Sequence, residues 1–159
     1  MSPSEGFPWF ALRVRSNFEQ TAAASLRGKG YEQLLPTYKA RRGEAPIFPG
    51  YIFAQFNPEA RLPVLMTPGV VHIVGVGKTP APVDDAEMAG IRRIAESGIP
   101  ARPWPFTKIG QKVKIRRGAL EGVEGLLLEV KNRNRLVVSI TLLQRSLAVE
   151  LDDDWVRPV

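Results

Sequence analysis

Helical periodicity stops at residue 98. Up to that point strand and helix patterns alternate; from "GIPARPWPFTKIG", Gly98 to Gly110, to the C-terminus no stretch carries an amphipathic helical repeat. A chain with this asymmetry is expected to fold as two bodies, a mixed one followed by an all-strand one. Three prolines with flanking glycines make the segment between them a linker. The expected division is 1–98, a linker at 99–107, and 108–159; 159 residues suffice for two small domains.

The first body begins with "WFALRVR", Trp9 to Arg15, an alternating strand. Ser16 with Glu19 three residues on spells a capping box, and Phe18, Ala22 and Leu26 follow on one helical face. Gly28 and Gly30 end that helix. "YEQLLPTY", Tyr31 to Tyr38, reads as a second strand, with Pro36 marking an edge or a bend. "KARRGEA" reads as a basic loop, and Ile52 to Phe56 as the third strand. Asn57-Pro58 starts a helix that Pro63 keeps short or irregular. "VVHIVGV", Val70 to Val76, is a fourth strand. Asp84 and Glu87 open a final helix, with Met88, Ile91 and Ala95 on one face. The order β-α-β-β-α-β-α favours an α+β sandwich, with helices on a mostly antiparallel sheet.

The second body contains "QKVKIRRG", "VEGLLLEV", "RLVVSITLL", "SLAVEL" and "WVRPV", five short β-rich runs separated by turn residues. They predict a small closed β-barrel. Alternation puts Lys112, Lys114 and Arg116 on one face, away from Val113 and Ile115. Gly118, Gly122 and Gly125 serve the tight connection and a bend in the next strand. The basic face is either a ridge for nucleic acid or an acidic partner, or an ordinary solvated surface.

Composition narrows the chemistry. There is no cysteine, which excludes disulfides and thiolate metal sites. The single histidine, His72, sits beside valines and reads as a strand residue; one imidazole argues against a zinc enzyme. No cluster of nucleophile, base or metal ligands stands out, and no cofactor is called for. The acidic run Asp152-Asp153-Asp154 reads as a solvated loop beside Trp155. The net charge is +6, which suits phosphate backbones or acidic protein surfaces. It is unevenly spread: 11 Lys and Arg against 9 Asp and Glu up to residue 98, and 11 against 7 beyond it. No signal-peptide pattern or membrane-length apolar run is present, so a cytoplasmic, non-membrane protein is expected.

The stretch "IFPGYIFAQF", Ile47 to Phe56, has strand composition with a Pro-Gly pair inside it. Pro49-Gly50 interrupts strict alternation, so Phe48 and Tyr51 need not lie on opposite faces. Either the aromatics fill a core, or Phe48 and Tyr51 turn outward as an anchor for a partner.

Taken together, "FPGYIFAQF", "TPGVVHIVG", "PAPVDDAEMAGI", the KOW-like segment "GQKVKIRRGALEGVEGLLLEV" and "ELDDDWVRPV", in that order, resemble the NusG family of transcription elongation and antitermination factors. The wording "ARLPVLMTPGVV" and "LLQRSLAVEL" is similar to its specialised RfaH or UpxY types. The resemblance covers nearly the whole chain. It implies an RNP-like α/β sandwich that binds the clamp helices of RNA polymerase near the upstream fork and the non-template DNA strand. It also implies an SH3-like KOW barrel that recruits a further factor, and no catalysis. Carried over by position, the polymerase surface comprises Phe48, Pro49, Gly50 and Tyr51, with Trp9 and Phe10 nearby. Lys39, Arg41 and Arg42 are either nucleic-acid or polymerase contacts or a solvated loop. A longer polar insertion is usual in the family at that point.

In the barrel, Leu143, Gln144 and Arg145 occupy the loop by which housekeeping members bind a ribosomal protein or Rho, but the family's Phe-Gly pair is absent. The choice of barrel partner is therefore open. The expected protein is a monomer. The rival reading is a KOW-containing RNA-binding or ribosome-associated protein, whose affinity would reside in the barrel.

Overall fold

The computed structural model describes residues 2–152 and 156–158; the Asp153, Asp154 and Trp155 positions of the acidic run lie outside them. The chain divides into two compact units, Met1–Thr37 with Glu44–Asp85, and Tyr38–Gly43 with Ala86–Val159.

The first unit is built on a four-stranded antiparallel sheet, β1 (Trp9–Val14), β2 (Glu32–Leu34), β5 (Tyr51–Gln55) and β6 (Val70–Ile73), in the order β2-β5-β1-β6. Alternation in the two central strands sends Phe10, Leu12, Val14, Ile52 and Ala54 to one face. There they bury against Ala22 and Leu26 of helix α1 (Glu19–Gly28), with Phe56, Tyr31 and Val64. Phe10 and Phe56 stack with ring centroids 4.7 Å apart, and Tyr31 meets Phe56 edge-on at 6.5 Å. Each such buried side chain stabilises the sheet by about 1.5–3 kcal/mol.

Three expectations change here. The capping box does not form: Phe18 is the N-cap and no side chain caps the helix. The Glu19 carboxylate is used elsewhere. The strand expected over 31–38 breaks at Pro36, which has no N–H to donate, while its carbonyl accepts from Ile47 N at 2.9 Å. Beyond the break, β3 (Thr37–Ala40) pairs with β4 (Gly43–Pro46), so the basic loop is a hairpin turning at Arg41-Arg42.

Asn57 does act as a cap, accepting from Glu59 N at 2.9 Å at the start of a 3-10 turn over Pro58–Ala60. A one-turn helix α2 (Leu62–Leu65) follows, short as Pro63 requires. The strand expected to Val76 leaves the sheet after Ile73. Val74 N donates to Ala11 O at 2.9 Å, and β7 (Gly75–Val76) folds back on β8 (Thr79–Pro80).

In the second unit, helix α3 (Asp85–Ser97) buries Met88, Ile91 and Ile94; Ala95, expected on that face, is exposed. This helix lies in the second compact unit, although the expected domain boundary was at 98. Arg93 Nε donates to Ala119 O at 2.9 Å. The Glu87 carboxylate accepts from Thr141 N at 3.0 Å and from its hydroxyl. Gly90 faces the sheet, where a Cβ would lie in ordinary van der Waals contact, 3.6 Å from methyls of both Val123 and Val138.

The second sheet contains β9 (Ala101–Trp104), β10 (Gln111–Ile115), β11 (Glu124–Val130), β12 (Arg133–Ile140), β13 (Arg145–Glu150) and β14 (Val156–Pro158), ordered β14-β10-β11-β12-β13-β9. All five expected strands are present. The sixth, β9, comes from the proline-rich segment expected to be a linker. Proline is tolerated on an edge strand, and Pro103 sits there opposite Leu147. Trp104 is held by the Arg135 guanidinium, 5.4 Å from its ring centroid. Among the described residues, no helix is long and apolar enough to cross a membrane.

Candidate functional site

The face of the first sheet opposite α1 carries Trp9, Ala11 and Arg13 of β1 across from Gln55, Phe53 and Tyr51 of β5, with His72 of β6 beside Arg13. Its composition changes along the strands. Trp9, Ala11 and Phe53 are buried, whereas Arg13 and His72 are exposed and Tyr51 is half-buried. The Arg13 guanidinium lies over the Tyr51 ring, 5.1 Å from its centroid. The polar end therefore presents an aromatic ring and a cation side by side.

The Pro-Gly pair builds this end. Tyr51 N donates to Phe48 O at 3.0 Å, closing a four-residue turn with Pro49 second and Gly50 third. Gly50 has φ +83°, the left-handed conformation that a type II turn requires at its third position. Glycine is needed for a second reason: a Cβ there would lie 2.3 Å from Arg13 Nη1. The Gly50 peptide is held on both sides, its N–H donating to Glu19 Oε2 at 3.0 Å and its carbonyl accepting from Val14 N at 2.9 Å.

This geometry corrects the expected orientation of the aromatics. Phe48 is 1% exposed and packs edge-on to Phe53 with centroids 5.8 Å apart. The turn reverses the chain after Phe48, leaving its ring inward while Tyr51 emerges beside Arg13. Trp9 is buried on the same sheet face, and Phe10 is buried on the opposite face against Phe56. Pro49 is exposed and Gly50 buried. Only Pro49 and Tyr51 of the six expected residues offer side-chain surface. Arg13 and Glu19 were missed, because strand register and a bond across 31 residues decide their roles.

Lys39, Arg41 and Arg42 are all exposed, the two arginines at the hairpin turn. On the second sheet Lys112, Lys114 and Arg116 are exposed while Val113 and Ile115 are buried, as alternation requires. Lys114 faces Glu124 across the strand pair. Gly118 and Gly122 both have φ +89°, as their place in a tight connection demands. Gly125 instead permits close approach: a Cβ would lie 2.6 Å from Val137 O. At the β12–β13 turn Leu143 is half-buried, Gln144 is left-handed with φ +51°, and Arg145 is exposed. The more exposed apolar side chain there is Leu142, which the sequence reading did not single out.

Among the described residues, no group of three or more His, Cys, Asp or Glu is placed to hold a metal ion. The geometry suits protein or nucleic-acid recognition: an aromatic–cation pair on a rigid sheet, and a basic strand face.

The family profile described as "Transcription termination factor nusG" matches residues 7–92. The transcription termination/antitermination protein NusG of Pseudomonas aeruginosa is 30% identical, the alignment covering 92% of this chain and 90% of that protein. The corresponding protein of Escherichia coli K12 is 29% identical over 96% of each chain. A solved structure described as "Domain interaction in Thermotoga maritima NusG" covers 98% of this chain and 99% of its own, with a TM-score of 0.61 and 25% identity.

Proposed function

Because the chain belongs to the NusG family of transcription termination/antitermination factors, we propose that it binds the clamp helices of RNA polymerase through the Arg13–Tyr51 end of its first sheet. Bound there, it suppresses pausing or termination as a cytoplasmic, non-enzymatic elongation factor, a specialised member of the RfaH or UpxY type. The carrying observation is the half-buried Tyr51 ring stacked by the Arg13 guanidinium, on the turn whose first residue, Phe48, is packed edge-on to Phe53. Tyrosine and arginine anchors set on rigid supports are the side chains that most often dominate binding energy at protein interfaces. Pro49 extends the surface, while Phe48, Gly50, Trp9 and Phe10 act as its support rather than as contacts.

Lys39, Arg41 and Arg42, exposed around the hairpin turn, then suit the phosphates of the non-template strand. The second sheet is read as the KOW barrel, with Leu142 to Arg145 as its docking loop for a further factor, a ribosomal protein or Rho. The test is affinity of the full chain for core RNA polymerase. Tyr51→Ala should abolish or severely weaken binding while leaving the fold intact. Normal binding by the folded variant would overturn this assignment.

A second reading, RNA binding by the KOW face, is favoured by the exposure of Lys112, Lys114 and Arg116 along one side of β10. It requires tight RNA binding by the full chain. The slope of log affinity against log salt should fall by about 1 for each of these residues neutralised. Weak RNA binding with a slope unaltered by the three substitutions removes it.

A further inference from the structure

Glu19 carries the strongest unused signal in the first unit. It is a charged residue only 6% exposed, and its carboxylate serves neither of the roles its position suggests. It does not cap α1. Nor is Glu19 joined in either of the ion pairs that tie Arg133 and Arg135 to Glu150. Its hydrogen bond runs to the Gly50 amide at 3.0 Å, from the first residue of α1 to the turn that opens β5. Burying a carboxylate is costly, so a position that keeps one is set by what the carboxylate holds.

We propose that Glu19 is a positioning residue for the Arg13–Tyr51 pair; this rests on the polymerase reading given above. The chain of contacts is continuous. Glu19 Oε2 holds the Gly50 N–H, and Val14 N holds the Gly50 carbonyl at 2.9 Å. The Gly50 peptide is therefore pinned between α1 and β1. With it pinned, Tyr51 N closes on Phe48 O at 3.0 Å and Tyr51 enters β5 directly opposite Arg13. Arg13 in turn lies over the space that a Gly50 side chain would fill, which brings its guanidinium onto the Tyr51 ring. Without the Glu19 acceptor, the turn can rotate and the ring and cation lose their shared orientation.

The test uses the full chain with Glu19→Ala, Glu19→Gln and Glu19→Asp. The readouts are affinity for core RNA polymerase, the Gly50 amide and Tyr51 ring resonances, and thermal melting. Glu19→Ala should weaken binding about tenfold well below its melting temperature, the factor expected for losing one hydrogen bond. It should also shift both resonances. Glu19→Gln keeps an acceptor of the same length and should bind as the parent does. Glu19→Asp keeps the charge but shortens the arm, and should lose as much as Ala; it decides the matter if the Ala variant does not fold. A folded Ala or Asp variant with unmoved resonances or undiminished affinity, or a Gln variant as impaired as Ala, overturns the proposal. If Tyr51→Ala itself binds normally, the polymerase reading falls, while the Gly50 and Tyr51 resonances still decide whether Glu19 sets the turn.

Discussion

Gly50→Ala separates two reasons for a glycine at one position. The first is conformational: φ is +83°, and an L-residue in left-handed backbone costs about 1–2 kcal/mol. The second is the Arg13 guanidinium, whose Nη1 would lie 2.3 Å from the new Cβ. That atom ends a flexible side chain, so the clash is relieved by moving it. Moving it forfeits the stacking on Tyr51, worth about 0.5–1 kcal/mol at a partly exposed site. The variant should therefore lose about 1.5–3 kcal/mol in all. In an Arg13→Ala background only the conformational term is left, so the same substitution should cost about 0.5–1 kcal/mol less. Native-state hydrogen exchange of the β1–β5 amides gives both numbers for this sheet alone, without assuming that the two units unfold together. A loss below about 0.5 kcal/mol would refute the backbone argument. Equal losses in the two backgrounds would refute the role given to Arg13.

Two further outcomes follow from the packing. Phe48→Ala should destabilise the first unit by about 3–5 kcal/mol, as expected for emptying a buried aromatic site, whereas Tyr51→Ala should cost far less; the same exchange measurement ranks them. Gly125→Ala should loosen the β11–β12 pairing by about 1–3 kcal/mol, since the added Cβ would lie 2.6 Å from the Val137 carbonyl, a backbone atom that cannot swing away. Unchanged amide protection in those two strands would show that the close approach is relieved at no cost.

The sequence by itself determined what depends on local pattern. Alternation in "QKVKI" set Val113 and Ile115 inward and Lys112 and Lys114 outward, and in "WFALRV" it set which residues share a face, although both faces of that strand are buried up to Arg13. Asn57-Pro58 started its turn, and the change of texture at residue 98 marked the passage to an all-strand sheet. Pro49-Gly50 was legible as a turn because the torsional limits of those two residues are local properties.

Tertiary structure decided whatever depends on partners distant in the chain. Glu19 spells a capping box, yet a peptide 31 positions away competes for its carboxylate and wins. Residues 101–104 lie in a segment whose three prolines, Pro100, Pro103 and Pro105, make it read as a linker, but the open edge of β13 gives them a ladder to join. Phe48 has the composition of an anchor, and its direction was settled by Phe53 and by the hand of the turn. Arg13 was one more charge on a strand until register set it opposite Tyr51. Local pattern assigns residues to elements and faces, while the choice of neighbour comes from pairing between elements, which no single stretch of sequence contains.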